Sequence, residues 1–374
     1  MDVCQILTKV ISGENALSSL QEYQHERVMI ICDTFLKETG TIDLVTRNLQ
    51  DTNTVLVYDD IKPDPSLEII GAGVRAAVEF KPTVLVGFGG GAALDSAKGI
   101  VYFAVHGKAL AQKPVFIAIP TTSGTGSEMT AFTVLTDTEA QKKIALIDDI
   151  MYANVAILDP ALTATVPPSI TANTGFDVIT HAVEAFVAKS ATDFTDAIAV
   201  KALQLSFQSL PKCYHYGANM KARSDMSSAS NMAGIAFNLG GLGMVHSMAH
   251  QLGGMFHIPH GLACALCLNA GIAYNSQDPE VAAKYAEISY QIGFAPRSAS
   301  VQDAITALRA VLRALMSDMG MPSRVGELKQ PVSREDYEAA VHTMAVNAMA
   351  DGCLPQNPRE TSVAVFETLF RSIY

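Results

Sequence analysis

The sequence predicts an α/β N-terminal domain built on a parallel sheet, followed by an all-α C-terminal domain. Three observations lead there. Between Arg27 and about Pro160, apolar runs rich in β-branched residues alternate with helical segments, the pattern of strands covered by helices on both faces. Beyond TVPPSITANTG the strand signal stops, and the rest of the chain shows helical periodicity broken by Gly, Pro and Asn clusters. At 374 residues the chain also exceeds the size at which one hydrophobic core usually stops growing. The expected division is 1–162 and 163–374.

Taken in order, RVMIICD is the first strand, followed by a helix to about Leu49. NTVLVYDD, a helix from Ser66, PTVLVGFGGG, a helix from about Ala92, and PVFIAIP continue the alternation. Each run ends in polar residues or glycine, where an open parallel sheet forms its ligand crevice. FTVLTD and KKIALID read as a small hairpin, and VAILD as a last strand. In the helical part, SDMSSASNMAGIAFNLGG is rich in small residues that permit close backbone approach, so it is expected to be buried beside the histidine-rich segment that follows.

Two loops at strand ends carry the first chemistry. Gly89, Gly90 and Gly91 lead from a strand straight into a helix; their N–H groups and the helix dipole form a site for a pyrophosphate. A triple glycine alone is equally a tight turn, and this one departs from the common G-x-G-x-x-G fingerprint. It follows the third apparent strand, and the register fails at Ala92. A second loop, IPTTSGTGSEMT, offers Thr121, Thr122, Ser123, Thr125 and Ser127 among glycines, suited to phosphate and ribose oxygens. Asp33, ending the first strand, would take the adenosine ribose hydroxyls and repel a 2′-phosphate, favouring NAD(H), although a plain cap of the next helix is its simpler role. Together the loops predict a Rossmann-like, dinucleotide-binding domain.

The second chemistry lies in the helical part. Of nine histidines, His246, His250, His257 and His260 fall within HSMAHQLGGMFHIPHG. Upstream, Asp177 and His181 in TGFDVITHAVEAF are four apart, on one face of a helix. One carboxylate with imidazoles suits Fe²⁺ or Zn²⁺ rather than Ca²⁺ or Mg²⁺. Asp177, His181, His246 and His260 would make such a set, but the four later histidines all qualify by type and spacing does not choose among them. His250 or His257, where not a ligand, would relay protons. Glu184 is expected to support a ligand rather than bind the ion itself.

Composition excludes other classes. The net charge is −11 with no run of Lys or Arg, so nucleic acid and acidic lipid are not expected partners. The N-terminus MDVCQILTKVISGENAL has no export signal pattern, and no apolar stretch of about twenty residues occurs; a cytoplasmic protein without a membrane span is expected. Hydrophobic residues make up 49% and charged residues 17%, a composition that fits a well-packed enzyme with subunit contacts. The six cysteines are expected to be reduced, with Cys264 and Cys267 of CALC acting as small buried hydrophobes.

Through GFGGGAALDSAK, TTSGTGSE, ANTGFDVITHAVEAF, HSMAHQLGGMFHIPHG and DGCLPQNPRET, the chain resembles the iron-containing (group III) alcohol dehydrogenases over almost its full length. Within them it is most similar to the propanol dehydrogenases of bacterial propanediol-utilisation-type microcompartments. The resemblance implies metal ligands at Asp177, His181, His246 and His260, with His250 near the nicotinamide as a proton relay; it leaves the role of His257, a catalytic candidate by residue type, open. It implies cofactor contacts at Asp33, Gly89, Gly90, Gly91, Ala92, Asp95, Thr121, Thr122, Thr125, Lys143 and Leu162. Ala92 stands where the family more often has Ser, so one hydroxyl contact to phosphate is absent here. Pocket positions fall on Phe132, Phe237 and Cys353, which suits a small apolar aldehyde.

The implied activity is NAD(H)-dependent interconversion of a short primary alcohol and its aldehyde with Fe²⁺, or Zn²⁺ in its stead, in the direction of aldehyde reduction. A homodimer and microcompartment shell or enzyme partners are implied with it. The rival readings are a glycerol dehydrogenase or a dehydroquinate-synthase-like metal enzyme and, outside enzymes, a degenerate nucleotide-binding scaffold.

Overall fold

The computed structural model describes residues 4–139 and 142–374, the side chains of Lys142 and Lys143 excepted. The chain divides into two units, Gln5–Thr165 and Val166–Tyr374, the latter together with Cys4.

The first unit holds strands β1 (Lys9–Ser12), β2 (Arg27–Asp33), β3 (Thr54–Ile61), β4 (Val84–Gly89), β5 (Val115–Pro120), β6 (Phe132–Asp137), β7 (Lys142–Ile147) and β8 (Val155–Leu158). Its helices are α1 (Thr34–Glu38), α2 (Asp43–Thr46), α3 (Leu67–Phe80) and α4 (Gly91–His106). Six strands form a parallel sheet in the order β1-β8-β5-β4-β2-β3, while β6 and β7 pair antiparallel as the expected hairpin. The single helix expected up to Leu49 is instead two short ones, α1 and α2.

β1 is the strand sequence reasoning missed. KVIS is four residues long with no buried member, and it pairs only with β8 at the sheet edge, so it lacks the apolar run that marked the others. The central strands carried that signal because both faces are covered. In β2, Val28, Ile30 and Cys32 enter one core with Val86, Phe88 and Ile119, whereas Met29 and Ile31 enter the opposite core with Leu94, Ile100 and Phe116.

The strand order reverses between β2 and β4. β3 extends the sheet from β2, and the chain then returns to lay β4 along the other side of β2. The carboxyl ends flanking such a reversal form the crevice where α/β sheets bind ligands; here those ends are Asp33 and Gly89.

The second unit is helical among its described residues: α5 (Pro168–Val187), α6 (Asp193–His215), α7 (Met220–Gly240), α8 (Met244–Phe256), α9 (His260–Asn275), α10 (Pro279–Ile292), α11 (Val301–Asp318), α12 (Arg334–Met349) and α13 (Val363–Ser372). α5 packs on α6, α7 and α9, and α8 packs on α9 and α12. Fifteen of the twenty α5 residues are buried, so this helix is the axis of the unit. Small residues of α7 (Ala229, Ser230, Ala233 and Ala236) are buried as expected, which lets α7 lie close to α5. Among the described residues, no helix is long and apolar enough to cross a membrane.

Candidate metal and dinucleotide sites

The polar residues Asp177, His181 and Glu184 are buried in α5. Asp177 and His181, one turn apart, are both buried, with Asp177 Oδ1 3.8 Å from His181 Nε2. α8 brings His246 Nε2 to 3.8 Å from the same oxygen, and α9 begins with His260, whose Nε2 stands at 3.3 Å. One donor atom from each of the four lies within 4.8 Å of all the others. Three are buried, while the His260 side chain is 41% exposed, so the cluster has one open side.

The donors fit a divalent cation. Asp177 Oδ1 and His246 Nε2 are buried and have no hydrogen-bond partner, a condition that normally costs about 1–3 kcal/mol per group and that a coordinated cation removes. Burial alone would raise the Asp177 carboxyl, but His181, His260 and His246 outweigh it and hold it well below the usual carboxylate range. Burial opposes a charged ring at His260 as well, yet Cys264 and Asp177 beside it bring it up to about 10. An anion that gathers positive charge this strongly suits an ion such as Fe²⁺ or Zn²⁺.

Glu184 lies on α5 one turn beyond His181 but reaches α8. Its carboxylate accepts the backbone N–H groups of Val245 at 2.7 Å and His246 at 3.3 Å, and its Oε2 is 2.5 Å from His246 Nδ1. That contact fixes the ring so that Nε2 faces Asp177.

His246 and His250, one turn apart on α8, separate in role. His250 stands outside the four-donor group although its ring stacks 5.5 Å from that of His260. Its Nδ1 is 2.8 Å from Asp351 Oδ2, and the Cys353 N–H donates to the other Asp351 oxygen at 2.9 Å. Burial lowers the His250 ring from its ordinary value and outweighs the Asp351 contact, leaving a neutral imidazole favoured. His257 is exposed and ends α8 in a left-handed conformation, φ 54°; it too is outside the group. Of the pocket residues in this unit, Phe237 is buried with its ring stacked 4.3 Å from His181, and Cys353 is half-buried beside Asp351.

Three features of this unit were not legible in the sequence. Cys264 does more than fill space, since its Sγ is 3.8 Å from His260 Nε2. Asp351 orients His250. Asn357 reaches the first turn of α8, with its Oδ1 3.1 Å from Met244 N. The partners are a hundred residues apart in the last two cases, and no local pattern encodes them.

In the α/β unit, Asp33 caps α1 by accepting from Leu36 N at 3.0 Å through Oδ1, which leaves Oδ2 toward the neighbouring strand end. Gly89 there has φ 149°, a conformation side chains rarely adopt. α4 starts from Gly90 without a side-chain cap, so its first N–H groups remain available to an anion. The second polar loop packs on the first. Thr121 N donates to Gly89 O at 3.0 Å, and a Cβ at Gly91 would meet Thr125 Cγ2 at 2.9 Å. Thr122 Oγ1 stands 3.5 Å from the position of a Cβ on Gly90.

Ala92 O accepts from Ser96 Oγ, and Leu162 is buried in the core that holds Val28, Ile30 and Cys32. Asp95 ties α4 to the second loop, accepting from Ser127 Oγ at 2.7 Å and Val134 N at 3.1 Å. Lys98, missed in the sequence, is fully buried and donates to Ser127 Oγ, Thr130 Oγ1 and Phe132 O at 2.8, 2.7 and 2.9 Å. Burial pushes its ammonium down to about 8 against the pull of Asp95 and Glu128. Phe132 opens β6 with Lys98 Nζ 5.8 Å from its ring. Lys143 falls on β7, its side chain outside the described residues.

The comparisons agree with this architecture. The profile described as Iron-containing alcohol dehydrogenase matches residues 8–160, and that of the Fe-containing alcohol dehydrogenase family, C-terminal, matches 171–374. The chain is 40% identical over 373 residues to the 1-propanol dehydrogenase PduQ of Salmonella typhimurium, covering 100% of each. It is 35% identical over 357 residues to the NAD-dependent methanol dehydrogenase of Bacillus methanolicus, covering 92% of this chain and 91% of the other. A crystal structure of 1,3-propanediol oxidoreductase superposes with a TM-score of 0.92 at 32% identity, covering 100% of both.

Proposed function

From the premise that the chain belongs to the iron-containing alcohol dehydrogenase family, we propose that it interconverts short-chain primary alcohols and their aldehydes with NAD(H). The observation that carries this reading is the convergence of Asp177, His181, His246 and His260, with buried Asp177 Oδ1 and His246 Nε2 otherwise unsatisfied. The division of labour is 1–162 for the dinucleotide and 163–374 for metal and substrate.

Asp177, His181, His246 and His260 would hold the ion, and Glu184 would fix His246. A bound ferrous ion supplies Lewis acidity to the substrate oxygen, and a bound nicotinamide accepts or returns the hydride. Alcohol oxidation releases two electrons and one proton as hydride and a second proton from the hydroxyl. His250 takes that second proton at Nε2, because Nδ1 is engaged by Asp351, and hands it to solvent. In aldehyde reduction the same nitrogen returns it. His257 has the weaker claim to this role, since His250 is the one held by Asp351 and stacked on His260.

Asp33 receives the adenosine ribose and disfavours a 2′-phosphate. Gly89, Gly90, Gly91, Ala92, Thr121, Thr122 and Thr125 cradle the pyrophosphate, and Asp95, Lys143 and Leu162 complete the cofactor contacts. Of the pocket positions the resemblance assigns, Phe237 and Cys353 lie in the helical unit and Phe132 in the α/β unit; side chains of this kind favour propanal over a polyol. Likeness to the PduQ proteins, named 1-propanol dehydrogenases, supports propanol and propanal as the substrate pair, with aldehyde reduction as the proposed working direction. A homodimer in the cytoplasm, enclosed with partner enzymes in a microcompartment, completes the reading.

Anaerobic reconstitution with Fe²⁺ or Zn²⁺, followed by a panel of alcohols and aldehydes with NADH and NADPH, tests it. Metal-dependent oxidation of NADH by propanal is expected; metal uptake without turnover on any member of the panel refutes it. Size-exclusion chromatography and fractionation of purified shells test the dimer and the enclosure.

A further inference from the structure

α8 carries His246, yet its own N-terminus is uncapped. Its N-cap is Gly243, which has no side chain to offer, and the first turn of a buried helix leaves N–H groups that must be satisfied elsewhere. Glu184 takes those of Val245 and His246. The remaining one, Met244 N–H, is taken by Asn357 Oδ1 at 3.1 Å. Gly243 is required by this approach, because a Cβ there would stand 2.8 Å from Asn357 Oδ1 and 3.0 Å from Glu184 Oε1.

Asn357 is itself held firmly. It is 2% exposed and forms a reciprocal amide pair with equally buried Asn275 at the end of α9: Asn357 Nδ2 donates to Asn275 Oδ1 at 3.0 Å, and Asn275 Nδ2 returns a bond to Asn357 Oδ1 at 3.1 Å. The residues around it extend the hold. Gln356 O accepts from Lys189 N, just beyond α5, at 2.9 Å. Arg359 donates to Tyr274 O of α9 at 2.7 Å, with its guanidinium 4.0 Å over the Tyr274 ring. Residues 356–359 thus touch the ends of α5, α8 and α9, the three helices that bear Asp177 and His181, His246, and His260.

We infer that Asn357 is a positioning residue for the metal centre: by capping the end of α8 that bears His246 and tying that end to α9, it fixes the placement of His246, and so the affinity for the ion. This rests on the metal reading above. Asn357 touches no donor atom of the four-residue group and acts only through the helices.

The test uses the full-length apoprotein titrated anaerobically with Co²⁺, whose visible d–d bands report the geometry of its donors. Asn357→Leu removes every polar contact. Asn357→Asp keeps the acceptor for Met244 N–H but loses the donor to Asn275, and it serves where the Leu variant fails to fold. A Kd for Co²⁺ raised about 10- to 100-fold, the range for groups that support a ligand, with an altered band pattern at saturation, is expected for either variant. Leu312→Ala, which opens a cavity at a fully buried position of α11 remote in sequence from the donors, lowers the melting temperature and is expected to leave both readouts alone. An unchanged Kd or an unchanged spectrum in folded Asn357 variants overturns the inference, as does an equal loss in Leu312→Ala. Wild-type protein that binds no Co²⁺ overturns it together with the metal reading.

Discussion

Glu184 Oε2 stands 2.5 Å from His246 Nδ1, joining a carboxylate of α5 to a ring of α8 that faces Asp177 with its other nitrogen. One side chain therefore sets ring orientation, tautomer and helix start together. Glu184→Gln sets an amide against three donors. It is expected to raise the Kd for Fe²⁺ about 10- to 100-fold while circular dichroism stays native, as read by competition with a calibrated chelator. Retention of wild-type affinity would reduce Glu184 to a helix cap.

His250→Ala removes a ring that lies outside the donor group but stacks on His260. kcat is expected to fall by about 10²- to 10⁴-fold, the usual contribution of a general acid or base, with the iron-to-protein ratio unchanged by elemental analysis. Depletion of iron would make His250 a ligand and not a proton carrier.

Asp33→Ser preserves a side chain able to cap α1 and removes the charge next to Gly89. The ratio of kcat/KM for NADPH to that for NADH is expected to rise roughly tenfold, about 1.4 kcal/mol. Steady-state kinetics with both nucleotides decide, and an unmoved ratio assigns Asp33 to capping alone.

Lys98 makes stability depend on pH in an unusual sense. Its folded pKa of about 8 lies below the ordinary 10.5. Below about pH 8 both folded and unfolded chains hold the proton, and the fold bears the whole cost of burying the charge. Between 8 and 10.5 the unfolded chain keeps a proton that the folded chain sheds, so stability rises with pH, by roughly 3 kcal/mol in all. The urea midpoint of the wild type, less that of Lys98→Met, is expected to increase between about pH 7.5 and pH 10. A flat difference would mean that Lys98 keeps an ordinary pKa.

What was legible in the sequence follows from where each signal lives. The central strands showed themselves because Met29 and Ile31 fill one core while Val28 and Ile30 fill the other, leaving an unbroken apolar run. KVIS gave none, since an exposed edge strand needs no apolar pattern. Asp177 and His181 could be paired because a single helix joins them. The later histidines could not be sorted by spacing, because α8 ends at Phe256 and His260 starts a different helix; the change of direction decides which rings meet Asp177. Lys98 read as an ordinary helix residue, and only the loop folded over it reveals three acceptors.

The cap on α8 also fixes an order of events. Asn357 follows Met244 by 113 positions, so all four donor residues leave the ribosome well before the group that steadies the helix under His246. A nascent chain thus presents Asp177, His181, His246 and His260 before the side chain that caps α8 has been made. If Asn357 positions the site as inferred, iron capture waits for that cap, and a chain terminated ahead of Leu354 would carry Asp177, His181, His246 and His260 yet lack the means to hold them in register.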